Sequence, residues 1–400
     1  MKPRTQRFPT LRRAGIRLFE RYLRYLTRPE RMHPWNRVQP LVGGALAYPA
    51  MLEAIAHAQK LVHLESYILR EDQVGRIFRD ALIERAQAGV EVRLLYDGVG
   101  SFGLAEKFLE PLLAAGAQTL EYAPLAPWRR RWGVLRRDHQ KILVVDDAVA
   151  FTGGLNICLD YVPPEQGGAG WYDVHARVEG PAVHDLAVIF RKTWQDQGGA
   201  HLAAPARSAP ALPQEGISAS GVQVISNDML RSRSHMRHAY LRAIRRAESA
   251  ISLMNAYFIP DRGLRRAFAR AARRGVQVRV IVPSTNDVQA VRYASRHLYA
   301  RLMRSGVRIF EWPGKMMHAK CGVIDDVWST IGSYNLDRFS LKHNLEVALV
   351  VIDKNVSQEL KAEFETQVAR CKEMVLEEWE RRSWWQKTKE WGFYQLRYWL

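Results

Sequence analysis

Cysteine is scarce in this chain. Its 400 residues hold three, Cys158, Cys321 and Cys371, too few for a disulfide framework and without the paired spacing of a zinc site. That scarcity points to a reducing compartment. Long apolar runs are missing too: no stretch reaches the roughly eighteen residues that a membrane-spanning helix needs. The basic N-terminus has no apolar core behind it, so it does not read as a secretory signal. Acids are short as well, 41 Asp and Glu against 59 Lys and Arg. The surplus of +18 implies an anionic partner such as nucleic acid or acidic lipid. What is present is globular: 47% hydrophobic and 25% charged residues exclude wholesale disorder, and the length predicts two or three domains. We expect a soluble or peripheral cytoplasmic protein.

Half of the charge surplus is concentrated at one end. Residues 1–37 carry eleven Lys and Arg, among them Arg13, Arg17, Arg21 and Arg24, against two acids, Glu20 and Glu30.

The rest of the chain repeats itself. LVHLESYILR at 61–70 is matched by SAISLMNAYFIP at 249–260, each a β-rich run ending in an aromatic turn. Amphipathic helices follow, closed by Gly89 and Gly275, and then the apolar strands VEVRLLYDG and VQVRVIVPS. Strands alternating with helices of this length predict βαβ units, with helices on both faces of a mainly parallel sheet. Residues 199–220 are rich in Ala, Pro and Ser and lack an apolar period, which reads as a linker. The expected organisation is a basic N-terminal segment (1–40), a first half (41–198), that linker (199–220), a second half (221–372) and an aromatic tail (373–400).

Each half carries the same chemical motif. HQKILVVDDAVAFTGGLN at 139–156 and HAKCGVIDDVWSTIGSYN at 318–335 both give H-x-K-x4-D, six residues, then G-[GS]-x-N. The members are His139, Lys141, Asp146, Gly153, Gly154 and Asn156, matched by His318, Lys320, Asp325, Gly332, Ser333 and Asn335. One short motif carries a false-positive risk, but two copies at the same place in a repeat do not arise by coincidence. If 139–145 form a strand, His139 and Lys141 point to the same face. Two such half-sites bring two imidazoles, two ammonium groups and two amides around one small anion. A tetrahedral phosphate suits that cage.

An acid is expected to orient each imidazole. Asp173 lies seventeen residues past Asn156, and Glu346 lies eleven past Asn335. Both open alternating strands and so occupy equivalent positions, with the extra residues in the loop VPPEQGGAG. They would fix the tautomer and stabilise the imidazolium. Asp146 and Asp325 end their strands facing away from this spot, which predicts a structural ion pair for each.

These residues resemble the phospholipase D superfamily, marked by the duplicated HKD motif, over about residues 45–370. GGLN, WYDVHARVEGPAV, NAYFIPDRGL and GSYNLD make the likeness strongest to bacterial cardiolipin synthases. The resemblance implies an α/β fold. Two pseudo-twofold-related α/β/α sandwich domains, with mixed and mostly parallel sheets, would share one site, with no metal or other cofactor and a covalent phosphohistidine. It makes His139 the nucleophile and His318 the general acid, then base. Lys141, Lys320, Asn156 and Asn335 would clamp the phosphoryl oxygens, while Asp173 and Glu346 would orient the histidines. Gly153, Gly154, Gly332 and Ser333 would support the motifs. Gly154 departs from the Gly-Ser of many relatives, which removes a hydroxyl donor.

The implied reaction is phosphatidyl transfer between two phosphatidylglycerol molecules, giving cardiolipin and glycerol. A phospholipase D hydrolase releasing phosphatidic acid, a phosphatidylserine synthase and a phosphodiesterase or nuclease share the same chemistry. The implied partners are anionic phospholipids and a membrane surface, with no nucleic acid expected and no oligomer needed to complete the site. The implied place is the cytoplasmic face of a bacterial membrane.

Three segments bear on that surface. LRRAGIRLFERYLRYLTR at 11–28 sets Leu11, Leu18, Tyr22 and Tyr25 opposite a row of arginines, as an interfacial helix would. Membrane contact is the favoured reading, against a helix docked on the second half or a nucleic-acid-binding arm. APWRRRWGVLRRD at 126–138, with Arg129, Arg130 and Arg131, would gather headgroups or form a solvated basic loop. The tail, with Trp384, Trp385 and Trp391, suits the headgroup region of a bilayer, unless it packs back on the body.

Overall fold

The computed structural model describes residues 19–125, 136–211, 219–227 and 235–399. The first half contributes strands β1 (His33–Val42), β2 (Leu61–Ser66), β3 (Glu91–Asp97), β4 (Gln118–Tyr122), β5 (Arg137–Asp138), β6 (Ile142–Val145), β7 (Val149–Gly153) and β8 (Val174–Glu179). Its helices are α1 (Gly43–Ala56), α2 (Gln73–Gln87), α3 (Glu106–Ala114) and α4 (Val183–Asp196). The second half adds β9 (Ser220–Asn227), β10 (Ala250–Asn255), β11 (Gln277–Pro283), β12 (Val307–Trp312), β13 (Lys320–Ile324), β14 (Trp328–Gly332), β15 (Asn344–Ile352) and β16 (Lys372–Glu373). With it come α5 (His235–Arg246), α6 (Arg262–Arg273), α7 (Gln289–Met303), α8 (Arg338–His343), α9 (Lys354–Val368), α10 (Leu376–Glu380) and α11 (Trp384–Gln395).

All of these strands join one sheet. From its centre outward the first half runs β1-β8-β7-β6-β2-β3-β4 and the second runs β9-β15-β14-β13-β10-β11-β12, capped by β16. The two orders match position for position, and β1 pairs antiparallel with β9 at the junction. The sequence repeat is thus a structural one. Parallel pairing within each half is confined to β2-β3-β4 and β10-β11-β12. The hairpins β6-β7 and β13-β14 and the strands after them pair antiparallel, so the sheet is mixed with less parallel pairing than expected. Short connections are the reason, since a hairpin can only join antiparallel strands.

Helices cover both faces. On one, α1–α3 bury Tyr48, Ile55, Phe78 and Leu112 against the first half, and α5–α7 bury Tyr240, Phe268 and Leu298 against the second. On the other, α4 and α9 share a single cluster fed by strands of both halves, including Val178, Val222 and Leu349. A common core fixes how the two half-sites face each other.

Two segments depart from the expected boundaries. Residues 33–42, placed at the sequence level mostly in an N-terminal segment, are β1, whose alternating burial suits a central strand. Ahead of it, Phe19, Tyr25 and Leu26 are buried in the second half's core, and the Tyr25 hydroxyl donates to Asp325 at 2.8 Å. For residues 19–26 the aromatic face is docked on protein rather than turned to lipid. Arg24 meets Glu248 at 2.7 Å. Arg13 and Arg17 lie outside the described residues. The described part of the linker runs along the first half, with Leu202 buried beside Phe190 and Trp194, and Ser220 already opens β9.

Candidate active site

Each motif histidine is pinned to the opposite half. The first motif enters through β5, which pairs in parallel with Asn344 and Leu345 of β15, and His139 N–H donates to Leu345 O at 3.0 Å. The second enters beside Tyr172, whose carbonyl accepts from His318 N–H at 2.7 Å. Leu345 and Tyr172 immediately precede the two acids. The acids therefore serve the histidines of the other half. His139 Nδ1 lies 3.0 and 3.1 Å from the carboxylate oxygens of Glu346, and His318 Nδ1 lies 2.7 Å from Asp173 Oδ2. With both Nδ1 atoms so engaged, each Nε2 is left for chemistry. The ring centroids stand 6.5 Å apart.

The expected strand over 139–145 begins only at Ile142, because the backbone of His139 is bonded to β15 instead. Lys141 and Lys320 still converge. Each ammonium donates to the carbonyl of the histidine two residues before it, Lys141 to His139 O at 2.8 Å and Lys320 to His318 O. Tyr67 closes the His139 side, with ring centroids 4.9 Å apart and the Lys141 ammonium 5.1 Å over its face. Trp171 closes the His318 side at 5.9 Å.

The two asparagines differ. Asn156 Nδ2 donates to the Tyr161 hydroxyl at 2.8 Å, and its oxygen accepts from Ile68 N–H at 3.1 Å. Asn335 is buried and its side-chain oxygen has no partner among the described residues. The glycine–serine difference has a steric basis. Ser333 Oγ donates to Glu346 Oε2 at 2.5 Å, whereas a Cβ on Gly154 would sit 2.2 Å from Asp173 Oδ1. Upstream, a Cβ on Gly153 would come 2.5 Å from His175 Cα of β8.

Electrostatics separates the half-sites. Burial pushes Glu346 up to about 7, against the Ser333 hydroxyl and the Lys141 ammonium. Burial acts on Asp173 too, but Lys320 and the His318 bond outweigh it and hold that carboxyl below its usual range. Burial, with Lys141 and Lys320 close by, drives His139 well below the ordinary histidine value. His318 is lowered by burial and Lys320 while Asp173 resists. Burial also brings Lys141 down to about 7 and Lys320 to about 8, against the pull of Glu346 and Asp173, so charge on either amine is costly in the empty pocket. Such a pocket favours an incoming anion.

Asp146 and Asp325 form no ion pair among the described residues. Asp146 accepts from the backbone N–H groups of Gln59, Lys60 and Leu61, and Asp325 from those of Glu248, Ser249 and Ala250. Each sits at a left-handed φ of 54° or 53° that turns its carboxylate onto the start of the neighbouring strand. The ion pairs go to the next residues, Asp147 with Arg191 and Asp326 with Lys361. Of the basic segment before His139, Arg137 is buried against Asp97 at 3.2 Å, and Arg129, Arg130 and Arg131 lie outside the described residues.

Tyr161 is the residue the repeat could not flag. It sits five past Asn156 on a 3-10 turn (Leu159–Tyr161), where the second half has α8 and Ser340 instead.

Comparison with known proteins assigns the chain to a family. The family model described as cardiolipin synthase, PLD-like domain, matches residues 51–163 and 240–368, one stretch over each HxK motif. The chain belongs to that phospholipase D-like family. Cardiolipin synthase B of Salmonella typhimurium is 34% identical over 362 residues, 88% of this chain and 86% of the relative. A cardiolipin synthase of Halalkalibacterium halodurans is 31% identical over 351 residues, 88% of this chain and 69% of the relative. In fold the chain is similar to phosphatidylserine synthase of Haemophilus influenzae, with a TM-score of 0.68, 15% identity, and 96% of this chain and 100% of that one covered. Within this phospholipase D-like frame, each histidine of the duplicated motif is paired with an acid of the other half, His139 with Glu346 and His318 with Asp173.

Proposed function

We propose that the chain is a cardiolipin synthase that transfers a phosphatidyl group from one phosphatidylglycerol to another. The observation that supports it most is the crossed pair of histidines, one disposed to be neutral and one beside an ionised acid. His139, strongly depressed and facing a Glu346 that resists ionisation, is the nucleophile. His318, backed by ionised Asp173, carries the proton.

In the first step His139 Nε2 attacks phosphorus, the bond to the headgroup glycerol breaks, and His318 Nε2–H protonates the leaving oxygen. Lys141, Lys320 and Asn335 hold the phosphoryl oxygens, and bound anion restores charge to the two ammonium groups. In the second step His318 Nε2 takes the proton of a glycerol hydroxyl on another phosphatidylglycerol. That oxygen attacks phosphorus, the P–N bond breaks, and cardiolipin leaves with His139 free. Transfer is preferred to hydrolysis because curated relatives spanning most of the chain are cardiolipin synthases.

The enzyme would work as a peripheral protein on the cytoplasmic face of a bacterial membrane. No described helix is long and apolar enough to cross one. The C-terminal helix supports a surface attachment. Phe393 and Tyr394 of α11 pack on the body while Trp384, Trp385 and Trp391 are each more than half exposed. Replacing Trp384 and Trp391 by Ala should reduce cosedimentation with phosphatidylglycerol vesicles, and unchanged binding would remove the tail from this role.

The deciding experiment is product analysis after incubation with phosphatidylglycerol vesicles, beside His139→Ala. Cardiolipin with released glycerol, lost in the variant, is expected. Phosphatidic acid alone would make the enzyme a hydrolase.

A further inference from the structure

We propose that Tyr161 is a positioning residue for His318: its hydroxyl is the second acceptor of the His318 Nδ1 proton, and it adds to Asp173 in favouring His318 over His139 as the proton-carrying histidine. This rests on the phosphatidyl-transfer reading and assigns within it a residue with no counterpart in the other half-site.

The geometry is specific. Tyr161 Oη lies 3.0 Å from His318 Nδ1, the same nitrogen that faces Asp173 Oδ2 at 2.7 Å. Asp173 is ionised, so the proton belongs to Nδ1 and the tyrosine can only receive it, as one branch of a shared bond. Asn156 Nδ2 donates to the same phenol oxygen at 2.8 Å. Asn156 thus occupies one lone pair of the oxygen and leaves the other for the imidazole. The ring is locked as well: it is buried, edge-on to Trp171 at 5.7 Å and to His318 at 5.9 Å. Asn156 therefore acts on His318 through Tyr161.

Nothing equivalent supports His139, whose Nδ1 meets Glu346 alone among the described residues. An extra acceptor strengthens more when the ring becomes imidazolium, because a charged donor makes the stronger bond. The other charged groups around His318 are Lys320 on its own segment, Asp173 ahead of β8, His139 and Lys141 across the cleft, Glu346 on β15 and Asp287 after β11. Lys320 opposes the cation on His318, while Asp173 and Asp287 favour it. Tyr161 adds to the second group without adding charge to a site that must take up an anion.

The test is Tyr161→Phe, which keeps the ring and removes the oxygen, measured as glycerol release from phosphatidylglycerol vesicles across pH. His318 must be protonated to release glycerol, so a lowered pKa moves the basic limb down, by about one pH unit, with kcat about tenfold lower and KM little changed. Tyr48→Phe serves as the comparison, since that buried hydroxyl donates only to the carbonyls of Asn156 and Cys158; it should lower the melting temperature without moving the profile. A Tyr161→Phe profile superimposable on wild type would overturn the proposal. So would a uniform loss at every pH that tracks the melting temperature. Phosphatidic acid in place of cardiolipin would sink the transferase reading, yet the shift in glycerol release would still be measured.

Discussion

The carboxylate of Asp173, carried by the first half, lies 2.7 Å from Nδ1 of His318, carried by the second. Its mirror is Glu346 of the second half against His139 of the first. Neither half therefore holds a finished histidine–acid pair. Docking completes both at once, and the shared core under α4 and α9 is what holds the docked state.

Crossing makes the acids separable. Asp173→Asn and Glu346→Gln should each lower kcat by about 10²–10⁴-fold, since each removes the group that sets a tautomer. In proton NMR with labelled histidine, Asp173→Asn should move the Nδ1 proton of His318 and leave that of His139 in place. Glu346→Gln should do the reverse. Pairing within each half would interchange the two results.

The pH dependence follows from the depressed histidines. His139 must be neutral, so activity rises with pH through its pKa; His318 must be protonated, so activity falls as pH passes its own. Both are lowered in the free site, which puts both limbs of kcat/KM on the acid side of the ordinary histidine value. Bound phosphodiester offsets the lysines, so the limbs of kcat should lie at higher pH than those of kcat/KM. Coincident limbs would contradict the electrostatic description.

Much of this was legible in the sequence because covalent spacing carries it. H-x-K-x4-D and its glycine–asparagine tail name His139, Lys141, His318 and Lys320 without any fold, and the equivalence of Asp173 and Glu346, each opening an alternating strand, is readable despite the insertion ahead of Asp173. Which acid serves which histidine was not legible. It depends on β5 pairing with β15 and on Tyr172 meeting Met316 and His318, contacts between segments far apart in sequence. The amphipathic pattern around Tyr25 was ambiguous for another reason, since a protein core and a lipid interface select the same apolar face. Tyr161 was silent because only one half has it.

The motif aspartates give a stability prediction. Asp325→Ala leaves three backbone N–H groups and the Tyr25 hydroxyl without their acceptor, which should cost about 2 kcal/mol. Thermal melting should register that loss, while turnover of the folded enzyme stays within about threefold of wild type. A collapse of turnover at unchanged stability would return Asp325 to the chemistry.

The central claim is that His139 takes the phosphatidyl group and His318 moves the proton. A phosphatidyl ester of p-nitrophenol tests it directly, because so good a leaving group needs no acid in the first step. His318→Asn should release about one equivalent of nitrophenol in a burst and then stall, with the adduct on the peptide containing His139 after a high-pH quench. His139→Asn should give no burst. A burst from His139→Asn and none from His318→Asn would reverse the two roles.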